Sequence, residues 1–360
     1  MNKKLKTGLL YAALTIIGAI GGGILGKYIM QNEHSIMELI YALVWLFVAN
    51  LVGVVVHESG HLVCGRKTGY EFVSFRIGSM TWIRENGKLV RKKFSIHGTA
   101  GQCILMPPEV EHPEDMPFAL YFLGGGLFNL ISAAIFLPIG ILIPNYYVSI
   151  PVVFFGGFSL LQGIINLVPL QLTVPNDGYQ ILNLCRHKEE RVLIYKQLRF
   201  NGLLYQGLTP SEIPEELYDF GEDSRGLSEL IQATRYLDCK DFQTAERLVA
   251  SSIDSGKMIS LHELEAKSEL LFCKIMNGAS ESEINALYDK ELKKYIAASA
   301  KTQIAKRRTM YAYDLMITKD MEAAGKEYDA AMAMKQTYPC AGELKSELAL
   351  IEYVGTKCAA

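Results

Sequence analysis

Between Met116 and Asn176 the chain contains no Asp, Glu, Lys, Arg or His. Such a long uncharged segment is rare in soluble domains, in which about a quarter of the residues are charged. After Arg186, by contrast, charged residues are frequent. The mean hydropathy of +0.15 therefore averages two unlike halves, one suited to lipid and the other to water.

The chain also lacks a basic surplus and a cysteine framework. Its formal net charge is −2, and its lysines and arginines form no clustered basic face, which argues against a nucleic-acid partner. The seven cysteines are odd in number and without CxxC spacing. We therefore expect free thiols in a reducing compartment, with a disulfide framework or a cysteine zinc site as the alternatives.

Four apolar segments are candidates for membrane spans. The first, residues 8–26, follows a basic start and would rise about 28 Å as a helix, enough to cross the hydrocarbon core. A cleaved signal peptide is the alternative for this segment. The second is residues 39–56. Pro144-Asn145 divides the uncharged stretch into a third span near residues 118–143 and a fourth near 146–169.

Apart from Lys27, the lysines and arginines near these four segments lie on one side. The chain start, the loop from Arg66 to Lys93 and the segment after Arg186 are rich in both residues, whereas the connections 31–35 and 144–145 contain neither. Cytoplasmic loops carry such an excess. We therefore predict a polytopic protein of a bacterial cell membrane with both termini in the cytoplasm.

The loop between the second and third spans has the composition of β-strands. Residues 70–96 are rich in Phe, Val, Ile, Tyr and Trp, with Glu85-Asn86-Gly87 as a turn between two extended runs. This pattern predicts a cytosolic β-hairpin, followed by a break at Gly98–Gly101. The edge of this hairpin could pair with an extended polypeptide by strand addition. The alternative is a hairpin that only covers the cytoplasmic end of the membrane helices.

After Asp177 the pattern is helical. Tyr236–Leu248 and Thr318–Ala331 each read as a short turn followed by an amphipathic helix. From Asp241 to Asp320 is 79 residues, about twice the period of a tetratricopeptide repeat. We therefore predict tetratricopeptide-like helical hairpins, with an unrelated helical bundle as the alternative.

These patterns together predict two domains. Residues 1–185 form a membrane-embedded α-helical domain of about four transmembrane helices with the β-hairpin inserted. Residues 186–360 form an all-α cytosolic domain.

His57-Glu58-Ser59-Gly60-His61 is an H-E-x-x-H motif that directly follows the second apolar run. Residues i and i+4 share a helix face, so His57 and His61 can bind one metal ion at about 2.0–2.1 Å. Glu58 is rotated away from that face and is free to act on a water molecule at the metal. Ionisable groups beside a membrane span are costly unless they have a function or partners.

A catalytic zinc ion has three protein ligands and an open position, so the two histidines need a third ligand. Asp177 ends the uncharged stretch in a Pro-Asn-Asp-Gly sequence, at the predicted cytoplasmic end of the fourth span. We therefore predict one zinc ion per chain, held by His57, His61 and Asp177. His97 and His112 are the alternative third ligands.

Several of these motifs occur together in a known family. Besides H-E-x-x-H and Asp177-Gly178, the chain contains Asn166-Leu-Val-Pro169 and the small-residue stretch Gly124-Gly-Gly-Leu-Phe-Asn129. In these respects, over about residues 1–185, it resembles the site-2 protease family of intramembrane zinc metalloproteases. The family usually has leucine where this chain has Asn176.

The resemblance implies a metalloendopeptidase that cleaves a peptide bond in or beside a substrate's transmembrane helix near the cytosolic face. Glu58 would be the catalytic base, and Asn129 and Asn166 would donate hydrogen bonds to the substrate or the oxyanion. Helix–helix contact is the alternative role for both asparagines. For Asn50 and Gly124–Gly126 we expect helix packing.

The implied substrate is a membrane-spanning protein or a precursor peptide in the bilayer, and the cytosolic helical domain would bind a protein partner. Two other functions stay open. One is a membrane-anchored helical-repeat adaptor with a non-proteolytic zinc site. The other is a zinc hydrolase that acts on a lipid-borne substrate other than a peptide.

Overall fold

The structure, a computed structural model, describes residues 36–85, 87–95, 99–170, 175–219 and 226–359. These residues are mostly helical. The helices are α1 Ile36–Lys67, α2 Phe118–Leu142, α3 Tyr146–Leu167, α4 Asp177–Arg186, α5 Lys188–Tyr205, α6 Ser228–Asp238, α7 Phe242–Asp254, α8 Ser260–Asn277, α9 Glu281–Leu287, α10 Lys290–Ser299, α11 Ile304–Tyr313, α12 Met321–Ala333 and α13 Ala341–Ala359. The strands are β1 Glu71–Ile77, β2 Met80–Glu85, β3 Lys88–Lys93 and β4 Gly101–Met106.

Three helices, α1, α2 and α3, are long and apolar enough to cross a membrane. They carry large apolar side chains that are more than half exposed, including Leu43, Phe47 and Leu142. Lipid tails solvate such side chains, whereas water does not. The first predicted span, residues 8–26, lies outside the described residues, so a topology of four spans stays a prediction.

The chain divides into two compact units, of which the first holds the chain up to Gly53 and Leu130–Gln162. Its described part is the beginning of α1, the end of α2 and most of α3. Small and aromatic side chains form its core, namely Ala42, Ala49, Ile150 and Phe154. Gln162 donates a hydrogen bond of 3.1 Å to Asn50 Oδ1. Asn50 therefore serves helix packing, as expected from its sequence position.

The sheet belongs to the second unit, Val54–Asn129 with Gly163–Ala360. Its strand order is β3-β2-β1-β4, with antiparallel neighbours throughout. The predicted hairpin is present as β2 and β3, which pair Glu85 with Lys88 across the predicted turn.

The sheet differs from the predicted hairpin in two ways. Gly78, with φ of +56°, turns the first extended run back on itself, so this run forms two strands, β1 and β2. The residues after the predicted break form a further strand, β4, which pairs with β1. A left-handed glycine inside an apolar run is easily read as part of one strand. β4 is short and begins at a glycine, so the sequence pattern did not predict it as a strand.

The helices that follow α5 pack mainly against their neighbours in the chain, α6 on α7, α7 on α8 and α11 on α12. Fully buried apolar side chains form their core, including Leu271, Phe272, Ile284, Ile296 and Val354. The seven cysteines of the chain are free thiols. The division into domains at residues 185 and 186 stays a prediction.

Two turns in this region have the same local structure. Before α7, Lys240 has φ of +63° and Asp241 accepts a hydrogen bond from the Thr244 N–H. Before α12, Lys319 has φ of +56° and Asp320 accepts from two first-turn N–H groups. No other described non-glycine residue has positive φ. This recurrence agrees with the predicted turn followed by a helix, and the tetratricopeptide assignment stays a prediction.

We expect Asp241→Ala and Asp320→Ala each to lower the free energy of unfolding by about 1 kcal/mol, because each removes the acceptor for an N–H group of the first helical turn. Asp254→Ala, at the exposed other end of α7, is the control and should not destabilise the protein. Urea unfolding of the detergent-solubilised chain, followed by circular dichroism, measures the effect. Equal destabilisation by all three variants would contradict the capping assignment.

Candidate metal centre

His57 and His61 lie one turn apart in α1, and Asp177 is the first residue of α4. The Nε2 atoms of the two histidines are 3.1 Å apart. Oδ2 of Asp177 is 3.3 Å from His57 Nε2 and 3.4 Å from His61 Nε2. Among the described residues, this is the one group of three or more His, Cys, Asp or Glu side chains that can hold a metal ion.

The size of this triangle fits a tetrahedral ion. With bonds of about 2.0–2.1 Å, tetrahedral ligands are separated by about 3.3–3.4 Å, and the right-angled ligands of an octahedral site by about 2.8–3.0 Å. The two separations that involve Asp177 have the tetrahedral value, and the separation between the histidines lies between the two values. The triangle leaves a fourth tetrahedral position for a non-protein ligand.

The protonation of His61 also fits a metal ligand. Its Nδ1 lies 2.8 Å from the Tyr121 carbonyl oxygen, which can only accept, so Nδ1 carries the proton. In the neutral ring, Nε2 then presents a lone pair toward Asp177 Oδ2, an atom that is buried and accepts no hydrogen bond. Two lone pairs that face each other in a buried site need either a proton or a metal ion between them, and one metal ion at this place would satisfy both.

Asn129 is completely buried, and its side-chain amide is 3.5 Å from His57 Nδ1. Rotation of this amide by 180° would turn its oxygen toward a proton on Nδ1, as a metal-bound His57 requires. The structure therefore joins Asn129 to the predicted site through a ligand. A direct contact between Asn129 and the substrate stays a prediction.

Asn176 fixes the position of Asp177. Its Oδ1 accepts from the Tyr179 N–H at 2.9 Å and from the Leu170 N–H at 3.0 Å. Its amide nitrogen donates to the carbonyl oxygens of Ile165 and Val168 at 2.6 and 2.7 Å. This side chain caps α4 and ties its beginning to the end of α3. Asn176 thus has a structural role here.

The charge of Asp177 suits a ligand as well. Burial opposes the negative charge, but His57 and His61 outweigh burial and hold the pKa of this carboxyl at about 2. The group is therefore ionised at neutral pH, as a carboxylate ligand must be.

Glycines bring α1 and α2 together around the histidines. A Cβ on Gly60 would clash with the Gly124 carbonyl oxygen, and a Cβ on Gly124 would clash with that of Gly60. A Cβ on Gly125 would lie 2.5 Å from His61 Nε2 and 2.7 Å from His57 Nε2. Helix packing explains Gly124, as expected, whereas Gly125 leaves space for the metal ligands themselves.

Glu58 lies beside the ligand triangle and is not part of it. Its carboxylate is within electrostatic range of His57, His61 and Asp177. Its Oε1 lies close to Gly101, where a Cβ would be 2.7 Å away. Glu58 thus lies between the candidate metal centre and the first residue of β4.

Arg76, in β1, holds the chain next to Glu58. The side chain is 1% exposed and donates hydrogen bonds to the carbonyl oxygens of Gly78, at 2.9 Å, and Thr99, at 3.3 Å. It also donates to the Thr99 hydroxyl. These bonds fix the backbone that leads into Gly101. Arg76 belongs to the loop whose positive charges predict the topology, but its place between Phe75 and Ile77 in an apolar strand was the signal for burial.

The other predicted residues have different outcomes. His112 is exposed and does not belong to the ligand group, and His97 lies outside the described residues. The Asn166 carbonyl oxygen would be 3.1 Å from a Cβ on Gly178, so the backbone of this residue packs against the start of α4. A catalytic role for the Asn166 side chain stays a prediction. Sequence reasoning did not find Tyr121, because a backbone carbonyl carries no residue signature.

Comparison of the chain with family models, with curated proteins and with solved structures finds no match.

We expect Gly125→Ala to weaken metal binding about 10–100-fold, because the new methyl group would displace both histidine rings. Asp177→Ala should weaken it at least as much. Gly157→Ala in α3 is the matched control, since a Cβ there meets no atom within 4 Å. Metal content of the purified variants, measured by mass spectrometry, checks this. Full metal content in Asp177→Ala would exclude Asp177 as a ligand.

Proposed function

We propose that the protein is an intramembrane zinc metalloprotease that hydrolyses a peptide bond in or beside a substrate's transmembrane helix, near the cytosolic face. The observation that carries this proposal is the ligand triangle of His57, His61 and Asp177 with Glu58 beside it. The two histidines lie on α1, a helix long and apolar enough to cross a membrane. A hydrolytic site at such a helix favours a substrate that is itself in the membrane.

Zinc fits the ligand set better than the metals of octahedral sites. Two imidazoles and a carboxylate are ligands of catalytic zinc and also of non-haem iron. The ligand separations of 3.3 and 3.4 Å support the tetrahedral choice. We therefore propose one zinc ion per chain.

The chemistry needs a base, a polarised carbonyl and an oriented ligand shell. His57, His61 and Asp177 would hold the zinc ion, which would supply a Lewis acid for the attacking water and the scissile carbonyl. Glu58 takes the proton of that water and later delivers it to the leaving nitrogen. Tyr121 and Asn129 hold His61 and His57 in orientation through the Nδ1 atoms. Glu58 has no ligand role and is free to move the proton.

A substrate helix must be unwound before hydrolysis, because its carbonyl groups are hydrogen-bonded within the helix. An extended segment then needs partners for its backbone groups at membrane depth. The sheet has two edge strands, β3 and β4, and β4 begins next to Glu58. This supports strand addition at β4 rather than at the predicted hairpin, whose outer strand is β3.

The proposed setting is a multi-pass protein of a bacterial cell membrane, with both termini in the cytoplasm and a membrane-spanning protein or precursor peptide as the substrate. The uneven distribution of Lys and Arg supports this orientation. The alternative is a membrane-anchored helical adaptor with a non-proteolytic zinc site. An adaptor does not need a carboxylate at Glu58.

We expect Glu58→Gln to keep its metal and to lower the cleavage rate about 10²–10⁴-fold, since only the proton-transfer group is removed. The assay reconstitutes the protein in vesicles with a library of single-span peptides and identifies products by mass spectrometry. Glu111→Gln, an exposed surface change, is the control and should be fully active. Equal cleavage by the Glu58→Gln variant would exclude the proposed mechanism, and cleavage of lipid-linked compounds alone would favour another hydrolase.

The orientation is tested with membrane-impermeant maleimide in intact cells. Cys239 is exposed on the protein surface, so it should be labelled only after permeabilisation. A cysteine introduced by Pro144→Cys, in the turn between α2 and α3, should be labelled in intact cells. Labelling of Cys239 without permeabilisation would reverse the orientation. The buried Cys340 is unsuitable as a reporter.

Strand addition is tested by proline substitutions, which remove backbone donors. Single prolines along β4 should include variants that keep their metal and lose at least tenfold in cleavage rate, because a paired substrate loses hydrogen bonds. The same substitutions along β3 are the control, and they should leave cleavage unchanged. Normal cleavage by every metal-bound β4 variant would contradict the pairing and leave the zinc chemistry untouched.

A further inference from the structure

A cavity of about 280 Å³ lies within the helical part of the second unit, far along the chain from the metal ligands. Residues of α5, α6, α8, α11 and α13 line it. One part of the wall is apolar and includes Phe200, Leu230, Ile231 and Leu350. The other part carries four carboxylates, those of Glu265, Glu269, Glu343 and Glu347.

Two completely buried cations, Lys306 and Arg308, pair with three of these carboxylates, and the fourth, Glu343, accepts a hydrogen bond from the Tyr338 hydroxyl. Lys306 Nζ donates to Glu265 at 2.6 Å and to Glu269 at 3.1 Å. Arg308 donates to Glu269 and, at 2.8 Å, to Glu347 Oε1. The guanidinium of Arg308 also lies 4.0 Å from the centre of the Phe272 ring. Each cation pairs with two carboxylates, Arg308 Nε has no hydrogen-bond partner, and the acidic side chains outnumber the cations by two.

One carboxyl oxygen of Glu347 accepts no hydrogen bond. The residue is 9% exposed, it lines the cavity, and its buried Oε2 has no hydrogen-bond partner. Burial raises the pKa of this carboxyl to about 8; Arg308 opposes the shift, and Glu269 and Glu343 add to it. The carboxyl therefore holds a proton at neutral pH, and binding of a cation in the cavity would displace that proton. A buried acceptor without a partner is costly, and a cationic donor in the cavity would satisfy it.

We propose that this cavity binds the guanidinium group of an arginine side chain from a polypeptide partner. The apolar wall fits the methylene stem of arginine, and the carboxylates fit its charged head. A metal ion fits less well, because the described residues contain no cluster of metal-ligand atoms at this cavity.

The surroundings favour a polypeptide over a free amine. A second cavity of about 270 Å³ shares Leu204, Glu265, Ala305 and Glu343 with the first, so there is room for residues beside the arginine. This second cavity reaches Phe94, which follows β3 and packs on Tyr338. Lys92 Nζ donates to the Tyr338 carbonyl oxygen at 3.1 Å. The cavities therefore extend from the helices to the sheet.

A source of such arginines follows from the proposed function, on which this last step rests. Membrane spans carry Lys and Arg on their cytoplasmic flanks. The cytosolic flank of a membrane substrate thus offers the group that the cavity fits. The helical region would then bind the substrate outside the membrane, while α1 and α4 carry the chemistry.

Titration calorimetry on the full chain in detergent micelles tests the site. The probe is acetyl-Gly-Arg-Gly-amide, and the matched peptide carries citrulline, which has the shape of arginine without its charge. We expect the arginine peptide to bind at least tenfold more tightly than the citrulline peptide. Equal binding of the two peptides, or no binding of either, would overturn the proposal.

Two variants locate the binding at this cavity. Glu347→Gln removes the acidic group whose Oε2 has no hydrogen-bond partner, and Thr234→Phe fills the space without changing any charge. Each should weaken binding of the arginine peptide at least tenfold, whereas Glu352→Gln, exposed on the same helix, should not. Circular dichroism confirms that each variant is folded. Unchanged binding in folded Glu347→Gln and Thr234→Phe variants would overturn the assignment.

The Glu58→Gln variant separates this inference from the proposed protease. It should bind the arginine peptide as tightly as the unmodified protein, because the measurement needs no cleavage. Binding without any cleavage by the unmodified protein would keep the arginine site and overturn the protease. Cleavage without arginine binding would support the protease and overturn the arginine site.

Discussion

The backbones of α1 and α2 touch at Gly60 and Gly124, and the candidate metal centre depends on this contact. Two helices with ordinary side chains pack with their axes 8–10 Å apart. The absence of Cβ atoms brings the segment Gly124–Gly125 against the histidine face of α1. A side chain at Gly125 would occupy the space of the two imidazole rings. Close packing of glycines therefore creates the room in which three ligands can converge.

The same contact places the groups that orient the ligands. Tyr121 and Asn129 lie on α2 on either side of Gly125, and they reach the Nδ1 atoms of His61 and His57. The third ligand comes from α4, whose first turn is fixed by the hydrogen bonds of Asn176. The candidate centre is thus built by rigid helices and a cap, which hold the three ligands in place.

Buried charged groups have different partners at the candidate metal centre and in the helical region. At the metal centre, His57, His61 and Asp177 converge on one point, and a single cation would satisfy them all. In the helical region, Lys306 and Arg308 already pair with several carboxylates, and Glu347 keeps an unpaired oxygen. Buried ionic networks are costly unless every member is satisfied. An incomplete network beside a cavity therefore indicates a ligand more strongly than a surface cluster of acidic residues does.

The sequence determined those features that depend on local spacing. The H-E-x-x-H motif requires only a helix to bring His57 and His61 together, and the long apolar runs predicted helices long enough to cross a membrane. The turn at Gly87 and the caps at Asp241 and Asp320 are equally local.

Other features depended on residues far apart in the chain. The ligand role of Asp177 could be proposed from the motif, but its separations from the histidines arise from the packing of α1 and α4. The pairing of β4 with β1, the position of Gly101 at Glu58, the burial of Arg76 and the unpaired oxygen of Glu347 were decided by tertiary structure, because each results from contacts between segments whose sequences carry no record of one another.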